Sequence, residues 1–261
     1  MKRTKHVIMF FLLLFSFSFP FTVYGSEKIP SSVVDISKEN TYPNATQNVP
    51  RLQPSEFASG LLKSSPIPIE NPDLIRMLNE SSVANAPLAV GYKARIYLGQ
   101  WPLHYESAET VVNWEYQQIN KNYVDNRGNG NFVQMTYNQD MQRIVRGGLS
   151  ANVKNADEVK KMMMLKAMDK THLPLAFQTV VGYGTKNSRV YNLPPNNIGY
   201  LYAYAPFVNE KGKITFGEVF LVLKGNQRKL VIENVTSQGI GAWIPIQDRL
   251  SFGFLATTKP R

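Results

Sequence analysis

An α+β fold, a mostly antiparallel twisted sheet with one principal helix (Asn155 to Met168) packed on it, is what the sequence predicts. Three observations predict it. The stretch Gly199 to Leu255 alternates with period two and is rich in aromatic and β-branched residues. A second alternating block runs from Leu88 to Tyr137, broken by turn residues. The segment Asn155 to Met168 carries helical spacing behind a start signal, with Asn155 as cap and Glu158 three residues on. The 261 residues, 43% hydrophobic, suffice for one large domain or two small ones.

The chain opens on a secretory pattern. Lys2, Arg3 and Lys5 form a positive head, and Val7 to Phe17 is an apolar run. Val23 and Gly25 stand at −3 and −1 of a cut before Ser26. Residues 1–25 are therefore expected to be a signal peptide, or an uncleaved anchor at the lower length limit for spanning a bilayer. No second such run follows. The chain has no cysteine, which excludes disulfides, a lipid-modified cysteine and a cysteine nucleophile. That composition fits an exported bacterial protein at the outer face of the membrane.

Residues 26–72 hold seven prolines among many serines and asparagines, and are expected to be a flexible lead-in. Val33, Val34 and Ile36 offer an edge strand, and Pro54 to Lys63 a short helix or turn. Residues 73–261 form the expected single domain. Asn71 and Pro72 suit the start of a helix reaching Asn79. Leu88 to Leu98 is a strand, turned by Gly99 to Tyr105. Glu109 to Tyr123 also reads as strand. With Phe132 to Tyr137 beyond the turn Asp125 to Asn131, it predicts a long hairpin that Gln142 to Ser150 continues. Leu175 to Val181 is a further strand, and Tyr183 to Asn197 a loop.

In the C-terminal block Tyr200, Tyr202 and Tyr204 share one face of a strand ending near Pro206. Asn209 to Gly212 reads as a turn. Lys213 to Leu223 is apolar on both sides, so it is expected to be central and covered on both faces. Gly225-Asn226 turns the chain into a strand from Leu230 to Val235. A glycine-rich corner, then Trp243 to Ile246, then Leu250 to Phe254 complete the meander.

The chemistry-bearing residues are few. His104, with Glu106 and Glu109 nearby in sequence, is the one polar cluster that offers a general base or paired carboxylates. The spacing holds no metal site, phosphate loop, dinucleotide fingerprint or nucleophile elbow, so neither cofactor nor metal is expected. The tyrosine row, with Trp243, is the candidate binding surface. Net charge is +10, and losing the leader removes three of 29 basic residues and none of 19 acidic ones. Outside a cell, that balance points to anionic wall polymer, a membrane surface or another exported protein rather than nucleic acid.

NWEYQQIN (Asn113 to Asn120), the methionine-rich helix and GEVFLVLKGNQRKLVIENV (Gly217 to Val235) resemble the YfkD-like family of exported proteins from Bacillus-type bacteria. The resemblance implies bacterial origin and an envelope location, and supplies no catalytic residue. Three functions follow as expectations. The first is a non-enzymatic binding or structural module of the cell surface. The alternatives are an envelope hydrolase using the His104 region and a small-ligand sensor or chaperone-like module.

Overall fold

The computed structural model describes residues 28–45, 52–81 and 93–260. The expected leader and the first residues of the Leu88 strand lie outside the described residues. In chain order the elements are β1 (Val33–Asp35), α1 (Glu56–Lys63), α2 (Pro72–Glu80), β2 (Lys93–Asp125), β3 (Val133–Asn138), β4 (Arg143–Arg146) and β5 (Gly148–Leu149). There follow α3 (Ala156–Thr171), β6 (Gln178–Val181), β7 (Lys186–Leu193), β8 (Ile198–Lys224), β9 (Gln227–Pro245) and β10 (Arg249–Thr257).

The sheet is built on β8, an unbroken strand of 27 residues. At about 3.3 Å per residue its extended length approaches 90 Å. Along one edge β2 pairs with it from Lys93↔Lys224 to Asp125↔Ile198. The other edge is shared: β10 takes Ile198 to Tyr204 and β9 takes Phe207 to Lys224. Pro206, which has no N–H to give, falls between those two partners, where the β2 register also shifts. β1 extends the sheet beyond β10, and β5 beyond β9; every pairing is antiparallel.

Several expectations are corrected here. Asn209 to Gly212 is not a turn but the middle of β8. Gly212 is required instead by close packing: a Cβ there would stand 2.2 Å from the Glu106 carbonyl oxygen. Gly99 to Tyr105 and the glycine-rich corner at Gly239 are likewise interior to β2 and β9. The long hairpin does not form. β2 pairs with β8, while β3 pairs with β7 and β4 with β6 in two small sheets. Part of the expected loop at Tyr183 to Asn197 is therefore strand β7.

One principal helix is corrected to three among the described residues. α3 is the longest at 16 residues, and α1 and α2 make a second helical cover. The α2 start follows the expected cap: Asn71 Oδ1 accepts from the Asp73 and Leu74 amides. The α3 start does not. Asn155 adopts a left-handed conformation and makes no side-chain cap bond.

The lead-in is not wholly detached. β1 pairs with β10, and Ile36 is fully buried. The amides of Asn40 and Asn44 each donate to the Val180 carbonyl and to the Asp248 carboxylate, at 2.7–3.0 Å. Polar side chains thus supply the attachment that this apolar-poor segment lacks.

The covers alternate along β8. Its odd-numbered residues Leu201 to Phe207 pack under the two small sheets, against Met135, Tyr137, Val145 and Leu193. The even-numbered Val208, Ile214 and Phe216 pack under α3, against Val159, Met162 and Met163. The odd-numbered Val219 and Leu221 then pack under α1 and α2, against Leu61, Leu74 and Leu78. This resolves the two-sided apolarity of Lys213 to Leu223: its apolar residues belong to two cores on opposite faces. The parity is kept because β8 carries no extra residue. The bulges fall in its neighbours, five register shifts in β2 and one in β9.

Candidate functional site

The change of cover leaves the odd face open between Asn209 and Thr215. Its floor is read off in cross-strand rows. Val111, Asn209 and Trp243 form one row, and Glu109, Lys211 and Gly241 the next. Glu106, Lys213 and Gly239 form the third. Residues directly opposite one another on a sheet lie within side-chain reach. The Lys211 ammonium sits 2.8 Å from the Glu109 carboxylate. The glycines on β9 keep one side of the floor low, and a Cβ at Gly239 would meet nothing within 4 Å.

Two cavities of about 580 and 290 Å³ share Ser150, Lys211 and Gly241, so they make one continuous groove. Glu106 lines the larger and Glu109 and Trp243 the smaller. Two ammonium and two carboxylate groups face each other across it, so its local charge is balanced. Such a surface suits an extended ligand bearing both signs better than a simple polyanion.

Directly behind the groove, on the α3 side, lies a buried carboxylate. Glu210 is fully buried and accepts from the Tyr105 hydroxyl at 3.0 Å and the Thr110 hydroxyl at 2.5 Å. Burial, reinforced by the Glu210 charge and hydrogen bond, pushes the Tyr105 phenol far above its ordinary value. Lys170 of α3 donates to Ser107 at 2.7 Å, which stands 3.4 Å from Thr110. The floor is thereby fixed from behind by a hydrogen-bonded network rather than by apolar contacts alone.

The residues singled out from sequence separate into three places. Tyr200, Tyr202 and Tyr204 do form a row, with ring centroids 6.1 and 6.4 Å apart. Tyr123 of β2 continues it, 5.5 Å from Tyr200. Tyr200 is buried, while Tyr202 and Tyr204 are half-buried. Burial, with Glu115 and Tyr202 adding to it, raises the Tyr204 pKa. Trp243 does not join this row. It lies on the opposite face, in the groove, with Gly148 against its ring.

His104 is held apart from both groove carboxylates. Its Nδ1 is 3.1 Å from Glu70, which also faces Lys166 of α3 at 3.6 Å. Among the described residues no group of three or more His, Asp or Glu side chains is placed to hold a metal ion. Lys211 and Lys213 were missed by the sequence reading. Lys211 lies inside the segment of turn composition and Lys213 opens the strand expected after it, so the two do not read as neighbours on one face.

Fold and groove together define a β-rich protein whose long antiparallel sheet exposes a charge-balanced floor. The chain belongs to the YfkD-like family, whose model matches residues 30–261. It is 59% identical over 263 residues to a protein of Bacillus subtilis (strain 168) named "Uncharacterized protein YfkD", with all of each chain covered. No solved structure matches it.

Proposed function

We propose that this is an exported, non-enzymatic binding module of the bacterial cell envelope. In this reading the central groove holds an extended, peptide-like segment bearing both charges, from another exported protein or from the peptide part of the wall. The observation that carries the reading is the floor itself: Glu106, Glu109, Lys211 and Lys213 in facing pairs beside Gly239 and Gly241. The positively headed apolar leader supports export. Among the described residues no helix is long and apolar enough to cross a membrane. The hydrolase alternative needs His104 to converge with a groove carboxylate, whereas its Nδ1 faces Glu70.

The test uses the protein with its lysines carrying isotope-labelled methyl groups. Peptides of alternating Lys and Glu, soluble wall stem peptides and polyglycerol phosphate are titrated in turn. The expected result is movement of the Lys211 and Lys213 resonances with the peptides, abolished by Gly239→Leu, which fills open space. Unmoved resonances, or the same response in Gly239→Leu, overturn the assignment.

A further inference from the structure

The far end of the sheet carries a second surface, on the even face opposite the α1–α2 cover. There β8 ends in Phe220, Val222 and Lys224, flanked by Tyr97, Arg95 and Lys93 of β2 and by Val231 and Lys229 of β9. Tyr97 is 55% exposed. Tyr97 packs on Phe220 with ring centroids 5.1 Å apart. The Arg95 guanidinium lies 3.9 Å from the Phe220 centroid and pairs with Glu233 at 2.5 Å. Lys93, Lys224 and Lys229 are exposed around this aromatic centre. Neither 93–97 nor 220–231 contains an acidic residue.

We propose that this tip docks on an anionic lipid bilayer. Two features select that occupant. The lysine rim complements a negatively charged headgroup layer. The exposed Tyr97, with Phe220 behind it, gains by entering the boundary between headgroups and acyl chains, where amphipathic rings are favoured. A soluble polyanion matches the charge but offers the apolar side chains nothing. The tight turn at Gly225, with a φ of 56°, projects Lys224 and Lys229 at the end of the β8–β9 hairpin, and among the described residues no helix or strand stands beyond them. This surface is separate from the groove, and either assignment can fail without the other.

The chain has no cysteine, so Tyr97→Cys gives one labelling point for an environment-sensitive fluorophore. The labelled full chain is mixed with phosphatidylglycerol vesicles, with phosphatidylcholine vesicles and with polyglycerol phosphate. A blue shift with the anionic vesicles alone is expected, while a label at Gly239→Cys stays unmoved. Changing Lys93, Lys224 and Lys229 together to Glu should weaken that response about 100-fold, whereas changing them to Arg should preserve it. The Arg variant also controls for folding, alongside circular dichroism of each protein. An equal shift with neutral vesicles or with polyglycerol phosphate overturns the proposal. So does no shift at all, or a Glu variant that responds like the parent.

Discussion

The two faces of the middle of β8 use the same short run of residues in opposite ways. Toward α3, Val208, Glu210, Ile214 and Phe216 are buried; away from it, Asn209, Lys211, Lys213 and Thr215 are not. The buried face carries its one carboxylate fully hydrogen-bonded, as burial of a polar group demands. The open face carries exposed charges, of which Glu109 and Lys211 form an ion pair of the kind that adds little stability. Stability and recognition are thus divided between the sides of one strand, and substitutions should separate them.

The largest effect belongs to the covered face. Met163 is fully buried between α3 and the sheet, and Met163→Ala should cost about 4 kcal/mol in denaturant unfolding. A loss no greater than that of a surface substitution would mean that α3 is not the lid of this core. Next comes a pair of glycines. Gly212→Ala drives a methyl group against the Glu106 carbonyl and the Tyr105 ring, for an expected loss of about 3 kcal/mol. Gly239→Ala, on the open floor, should change stability by no more than about 0.5 kcal/mol. Similar midpoints for the two variants would erase the contrast between the faces.

The smallest effect appears only in alkaline solution. Tyr105 has its pKa raised by burial and by Glu210, so the folded state keeps the phenol protonated after the unfolded chain has released it. Its contribution is fully present below the ordinary phenol value of about 10 and is lost as pH rises beyond it. Thermal scans across that range should show stability falling more steeply for the parent than for Tyr105→Phe. Parallel slopes would remove Tyr105 from the cause.

Much of the sheet was legible because alternation survives wherever one face is buried. The tyrosine row, the turn at Gly225 and the edge strand at Val33 follow the pattern directly. The breaks were misread for a physical reason. Asn209 to Gly212 has turn composition, yet Gly212 answers to a neighbour's backbone that the sequence places 106 residues earlier in numbering. The same distance hid the groove. Glu109 meets Lys211 only across β2 and β8, and the open floor is defined by where the covers stop. Strand partners were assigned by proximity along the chain, which fails when β2 skips β3 for β8.

The unbroken 27-residue strand also sets an order of assembly. Among the described residues the strand that pairs with β2 is β8, so its ladder waits until synthesis has passed Lys224. Pairing at such separation is slow, because a long loop must close before any contact rewards it. The nascent N-terminal half therefore stays unzipped until most of the polypeptide exists. Cutting the gene short ahead of the β8 codons would leave a polypeptide with no template on which to begin.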